Sequence, residues 1–351
     1  MLPLRPTLLL AGLALAACDA APDPDPPPPP DPVLVTVLNR TLGRGADLGQ
    51  AFAGDAATDV EAAALYQATI ATDYRERAGR LAQEIRLRDP DVVTLQEVLT
   101  TRTQFPSDAD GVPATPNAGR VTFDYLATLL DSLSAAGADY RVAAEAQTGD
   151  VELAALGVGG ERYDVRYTER AVVLVRDTLD TVPGPAVTAP GAALAGAPAL
   201  REPVGAAIVR LVLTAQTVAV ASARFDADGE RAAALALDLR DAVGGLPLVL
   251  GGSTTESGSA ATLDAVSATG LEDAWLGAGD GAGGTCCIGP DLRETDVVFD
   301  RRTDAVWTWN GNAAAITRFA VTPGIRSASG LWPSSRAGLF ARVVLGVGTG
   351  A

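Results

Sequence analysis

The chain has 351 residues, with 43 acidic side chains, 27 basic ones, no histidine and a formal net charge of −16. Without histidine there is no Ser-His-Asp triad, no Cys-His pair and no imidazole ligand for zinc, so proton transfer falls to carboxylates, tyrosine, cysteine or metal-bound water. Every basic residue is arginine, and the negative balance excludes a broad nucleic-acid-binding face, although a bound cation would still admit a phosphate substrate.

Residues 1–17, MLPLRPTLLLAGLALAA, combine one arginine, a short apolar run and small residues, the layout of a secretory leader. The run ends in Leu15-Ala16-Ala17-Cys18, which resembles a bacterial lipobox. That resemblance implies cleavage before Cys18 and a diacylglycerol on its sulfur. Residues 18–32 then form a proline-rich tether, extended and semi-rigid because proline fixes φ. The expectation is an exported protein, lipid-anchored to the cell envelope, with one domain over 33–347.

Aromatics are only 5% of the chain against 48% hydrophobic residues, so the core is expected to be Ala, Val and Leu. The run 33–39 reads as a first strand, and 58–88 carries apolar residues at helical spacing, as one helix or two. Asp89-Pro90 stops it, and 91–99 reads as a buried strand ending in Gln96-Glu97. A helix is expected over 123–136, strands over 140–145 and 171–176 with a loop between, and a surface loop over 182–203. A hairpin over 206–213 and 217–224, a helix over 231–243 and a strand over 247–251 follow. Further strands are expected at 296–299, 305–309 and 339–345. The mixture of helices and hairpin-like pairs points to α/β layers with partly antiparallel sheets.

The segment 89–98, DPDVVTLQEV, resembles the Gln-Glu motif of the endonuclease/exonuclease/phosphatase superfamily, the DNase I-like metal-dependent phosphoesterases. Residues 35–47, VTVLNRTLGRGAD, resemble its first-strand asparagine motif. The stretch from Gly283 to Phe299, GGTCCIGPDLRETDVVF, resembles a subgroup segment with paired cysteines before an "Arg-Ile-Asp" strand, and SGLWPSSRAGLF at 329–340 resembles the terminal segment. The resemblance implies a four-layer α-β-β-α sandwich, two mixed β-sheets flanked by helices. It also implies Mg²⁺ or Mn²⁺ as cofactor, with Glu97, Asn39, Asp296 and Asp150 as its ligands. A hard cation suits such oxygen donors.

The departures fall on the catalytic positions. The family's Thr-His strand end falls on Ala223-Arg224, its Gly-Asp-Phe-Asn on Gly251-Gly252-Ser253-Thr254, and its Ser-Asp-His on Ser334-Ser335-Arg336. Both histidines are thus arginines, while Gly252, Thr254 and Ser335 replace the aspartates and the asparagine. Guanidinium gives charge and bidentate donors but exchanges no proton near neutrality. The expected function is a catalytically impaired phosphoesterase scaffold, with Arg224 and Arg336 binding phosphate or another anion. The alternatives are an active Mg²⁺- or Mn²⁺-dependent hydrolase with altered machinery, and a non-enzymatic envelope interaction protein. Cys286 and Cys287 admit two readings, a vicinal disulfide or one buried and one exposed thiol; no CxxC spacing supports a cysteine zinc site.

Overall fold

The computed structural model describes residues 32–345 except 54–57, 110–114, 186, 188–192, 195–196, 202–203, 215, 226, 256–257, 259 and 320–324. The expected leader, Cys18 and the tether up to residue 31 lie outside the described residues.

Strand β1 (Val33–Thr41) is followed by helices α1 (Gly49–Ala53), α2 (Asp59–Ala71) and α3 (Tyr74–Arg88). A capping box starts α2: Thr58 Oγ1 accepts from Glu61 N, and the Glu61 carboxylate accepts from Thr58 N. At its far end α3 stops on Asp89, in the left-handed region, just before Pro90. The 58–88 periodicity therefore resolves into two helices.

Next come β2 (Val92–Gln104), β3 (Arg120–Asp124), α4 (Tyr125–Ala135), β4 (Tyr140–Leu156) and β5 (Arg162–Arg176). The loop expected between 145 and 171 is instead the body of a long hairpin, paired from Tyr140↔Arg176 to Leu156↔Arg162. Its polar residues hide the strand pattern because they pair across the ladder, as Asp150 does with Arg166 and Glu145 with Arg170.

The chain continues through β6 (Thr181–Pro183), β7 (Ala193–Leu194), β8 (Ala197–Arg201), β9 (Gly205–Val212) and β10 (Thr217–Phe225). Short strands thus occupy part of the expected 182–203 loop. Then follow α5 (Gly229–Val243), β11 (Leu248–Thr254), α6 (Ala260–Ser267), β12 (Glu272–Asp273), α7 (Ala274–Ala278), β13 (Asp304–Trp309), β14 (Gly311–Phe319) and β15 (Gly338–Leu345). β11 runs straight through its glycines because ladders on both sides hold it. The strand expected at 296–299 is a loop. Val297 and Phe299 pack onto a small cluster of Ile288, Leu292, Leu331 and Trp332 instead.

One sheet has the order β14-β15-β1-β2-β5-β4, with β3 beside β2; the other runs β12-β13-β11-β10-β9-β6. Each mixes parallel and antiparallel pairs. Val35, Val37, Val92 and Val173 of the first sheet meet Val209, Val220, Val249 and Val306 of the second. On the outer face of the first sheet, Leu38, Val93, Leu95 and Leu174 pack under Leu81, Ile85 and Leu129 of α3 and α4. On the outer face of the second, Ala219, Ala221 and Leu250 pack under Leu235 and Leu239 of α5. Successive strand residues point to opposite faces, so sheets buried on both sides read as continuous apolar runs. The result is the four-layer α-β-β-α sandwich that the sequence implies.

Candidate functional site

The parallel pairs β1–β2 and β10–β11 bring four strand ends to one edge of the sandwich. Glu97 sits where the β2–β5 ladder skips from Leu95 to Val98, with φ of 56°. A non-glycine residue in the left-handed region is strained by about 1–2 kcal/mol. This irregularity lets Gln96 and Glu97 both work indoors. Gln96 Nε2 donates to Asn39 Oδ1 at 3.0 Å and Ser222 Oγ at 2.9 Å, which ties the two sheets together.

Asn39 is held in the same bracket. Its Oδ1 also accepts from Thr94 Oγ1 at 2.9 Å, and its Nδ2 donates to the Gly252 carbonyl at 3.2 Å. Gly251 is needed here, since a Cβ would lie 2.0 Å from Thr94 Oγ1.

Glu97, Arg224 and Arg336 are all at most 2% exposed. Arg224 Nη2 lies 3.0 Å and Arg336 Nη2 3.7 Å from Glu97 Oε1. Both are ion contacts, off the line of a hydrogen bond. Arg336 Nη1 reaches Asp304 Oδ2 at 3.5 Å, and Arg224 Nε reaches Glu169 Oε1 at 3.8 Å. Glu169 Oε2 in turn holds Arg44 Nε at 2.6 Å. The charges alternate without a break: Asp304, Arg336, Glu97, Arg224, Glu169, Arg44. Three carboxylates thus face three guanidiniums. The Thr254 carbonyl accepts from Arg224 Nη1 at 2.6 Å and Arg336 Nη1 at 3.0 Å, fixing the two arginines side by side. Asp304 is held by Thr41 Oγ1 at 2.6 Å, Thr285 Oγ1 at 2.8 Å and Thr303 Oγ1 at 2.9 Å.

Burial would raise the Glu97 pKa, but Arg224, Arg44, Arg336 and Arg77 together outweigh it and hold the carboxyl at about 2. Burial pulls the Arg224 guanidinium down from its ordinary value, with Glu97 opposing.

The other expected positions are accounted for individually. Asp150 is locked to Arg166, Nε to Oδ1 at 2.8 Å and Nη2 to Oδ2 at 2.5 Å. Asp296 is exposed in the loop after Leu292. The acid beside Arg336 is Asp304 instead, in Arg302-Thr303-Asp304, whose Arg-x-Asp pattern opens β13. Gly252 has no room for the aspartate the resemblance calls for, because a Cβ would stand 2.9 Å from Phe225 Cε2. Ser335 is buried, and its neighbour Ser334 Oγ donates to the Thr41 carbonyl at 2.5 Å. The Cys286 and Cys287 sulfurs are paired, and Cys286 bridges to both Arg301 and Arg336 through the backbone. Sequence reading missed Glu169 and Arg44; Glu169 lies in no motif, Arg44 lies in the 35–47 segment without being singled out there, and their pairing arises from a contact across 125 residues.

A divalent ion does not fit this centre. Glu97 already has two guanidiniums on it, and a cation brought there would meet them as like charges. Among the described residues, Glu97, Asp150 and Asp296 form no group of three carboxylates with oxygens within 4.8 Å of one another; Asp108, Glu152 and Asp164 do. Two described cavities, about 520 and 730 Å³, have neither Glu97, Arg224 nor Arg336 in their walls.

No family model matches the sequence, and no curated protein matches it. Solved structures do match. An endonuclease/exonuclease/phosphatase from Bacteroides vulgatus aligns with 14% identity over 89% of this chain and 99% of its own, TM-score 0.51. This chain has the endonuclease/exonuclease/phosphatase, or DNase I-like, fold. A mannosyl-6-phosphatase from Bacteroides thetaiotaomicron aligns with 14% identity over 89% of this chain and 100% of its own, TM-score 0.52. TDP2 from D. rerio, solved with a single-strand DNA product, aligns with 12% identity over 88% and 98%, TM-score 0.51.

Proposed function

We propose that this chain is an envelope lipoprotein that keeps the phosphoesterase fold but not phosphoester hydrolysis, its catalytic centre having become a buried ion-pair core. The observation that carries this reading is the alternating series from Asp304 through Arg336, Glu97, Arg224 and Glu169 to Arg44. Hydrolysis at such a centre needs an oriented water, a proton acceptor and cationic charge open to the phosphoryl oxygens. Here the water-orienting position is closed by Phe225. Both histidine positions carry arginine, which accepts no proton. The cationic charge is directed at protein carboxylates instead of at solvent, so an anion gains little from either guanidinium. Loss of one catalytic group costs orders of magnitude, and members of one constellation are lost here together.

The leader, the Leu15-Ala16-Ala17-Cys18 motif and the proline-rich spacer support anchoring at the bacterial envelope. Assays with p-nitrophenyl phosphate, a p-nitrophenyl phosphodiester and single-stranded DNA, each with Mg²⁺ and Mn²⁺, test the enzymatic half. The expected result is no turnover above buffer. Metal-dependent turnover that disappears in Glu97→Gln would sink the proposal and establish an altered but active hydrolase.

A further inference from the structure

At the far end of the long hairpin, another set of acids lacks the arginines that fill the Glu97 centre. Asp164 on β5 pairs in register with Gln104, seven residues beyond Glu97 along β2, about 23 Å away at ~3.3 Å per residue. Around it, carboxylate oxygens of Asp108, Glu152 and Asp164 lie within 4.8 Å of one another. Glu152 is 1% exposed and Asp164 fully buried, while Asp108 stands at the surface. None of the three has an ion pair with a described residue. The guanidinium opposite Glu152 in the ladder is Arg166, and it is committed to Asp150.

Burying two carboxylates side by side without a cation is costly. Local hydrogen bonds meet part of the need. Asp164 accepts from Ser107 Oγ and from Asp108 N, and Glu152 Oε2 accepts from Asn117 N and Ala118 N at 2.7 Å each. Glu152 Oε1 has no hydrogen-bond partner among the described residues, although it is sealed from solvent. An orphaned carboxylate oxygen in a cluster of acids is a vacant ligand position.

We propose that Asp108, Glu152 and Asp164 bind a calcium ion that pins the segment after β2 to the β4–β5 hairpin. The donors are all oxygen, the choice of a hard cation, with no imidazole or thiolate to favour zinc or copper. Their oxygens lie within 4.8 Å of one another, no farther apart than two ligands on opposite sides of one Ca²⁺ with Ca–O bonds of about 2.4 Å. Mg²⁺ demands a tighter octahedron and keeps its waters. Exposed Asp108 gives the ion a way in, and Asn117, whose Nδ2 donates to Asp108 Oδ2 at 3.0 Å, holds that ligand in place.

Calorimetric titration of the purified protein with CaCl₂ tests this, alongside thermal melting with and without Ca²⁺. The expected result is one Ca²⁺ per chain, with a dissociation constant of about 10⁻⁴–10⁻³ M or tighter, and a raised melting temperature. Asp108→Asn alters a surface ligand and leaves the fold intact by circular dichroism. It should weaken binding at least about tenfold, since even the loss of an outer-sphere partner costs 10–100-fold. Asp164→Asn should do the same, while Asp296→Asn should leave the affinity unchanged. Absence of binding at millimolar Ca²⁺, or an affinity unaltered in both Asp108→Asn and Asp164→Asn, overturns the site. Binding of Mg²⁺ but not Ca²⁺ overturns the choice of ion. None of these outcomes bears on phosphoester turnover, so this proposal and the one above fail separately.

Discussion

Two acidic clusters that share strand β5 meet opposite fates. At the Glu97 edge, Glu97, Asp304 and Glu169 each face an arginine. At the hairpin end, Asp108, Glu152 and Asp164 sit together with no ion pair to a described residue, the nearby Arg166 being held by Asp150. Carboxylates alone do not make a metal centre; the cations already present decide it. A guanidinium fixed by the fold gives the charge an ion would bring but leaves no open coordination position. On the function proposed above, such a centre stabilises without catalysing. Where arginine is missing and an oxygen is left orphaned, the charge has to come from outside.

The largest effect should come from removing the middle of the ion-pair series. Glu97→Ala leaves Arg224 and Arg336 buried and adjacent with no anion between them, a change that typically costs about 3–5 kcal/mol. Urea unfolding of wild type and variant measures it. A loss below 1 kcal/mol, the range of a surface pair, would mean that the series does not hold the core together.

Acid should reveal the same group. Glu97 titrates from an ordinary carboxyl value of 4.5 when unfolded to about 2 when folded. Its contribution is therefore complete above pH 4.5 and is lost as pH falls toward 2, about 3 kcal/mol by linkage. Glu84, raised by burial, acts in the opposite sense, so the informative quantity is the difference between wild type and Glu97→Gln. Unfolding curves between pH 7 and 3 should converge for the two proteins as pH drops. Curves that stay parallel would remove Glu97 from the account.

Saturation should separate the clusters next. Calcium at a hundred times its dissociation constant stabilises the folded chain by about 2.7 kcal/mol. That gain should vanish in Glu152→Gln, which is judged by its response to calcium and not by its own stability. Placing an aspartate where the resemblance calls for one should be modestly harmful: Gly252→Asp pushes a Cβ against Phe225. The cost should be about 1–3 kcal/mol, the range for overpacking, with no turnover gained. Asp296→Ala, at an exposed loop position, should change stability by less than about 0.5 kcal/mol and leave calcium binding intact.

Much of this comparison was legible in the sequence, but unevenly. The β-branched run before Gln96-Glu97, the helical spacing of 58–88 and the stop at Asp89-Pro90 each rest on local chemistry and mark real elements. The two missing histidines pointed to Arg224 and Arg336, and both lie at the centre. What those arginines touch was not legible, because Glu97, Glu169 and Asp304 come from strands joined only by tertiary structure. The expectation of an anion pocket assumed that a guanidinium at a strand end faces solvent; these face buried acids. Asp296 stood for the aspartate of the family's Arg-Ile-Asp strand because it follows the paired cysteines and opens the run Val297, Val298 and Phe299. Arg302-Thr303-Asp304, eight residues on, carried the better signal: an Arg-x-Asp pattern directly before the apolar run of β13. The hairpin-end cluster had no local signature, since Glu152 and Asp164 look like ordinary polar positions until β4 and β5 are paired.

The most direct test is a crystal grown with Mn²⁺ and phosphate and measured at the manganese absorption edge. The account predicts no anomalous peak and no phosphate at Glu97, with Arg224 and Arg336 still on its carboxylate; Mn²⁺ serves there as a probe for any divalent ion. A manganese peak bonded to Glu97, with either arginine displaced, would contradict it and return the centre to the metal-dependent hydrolases.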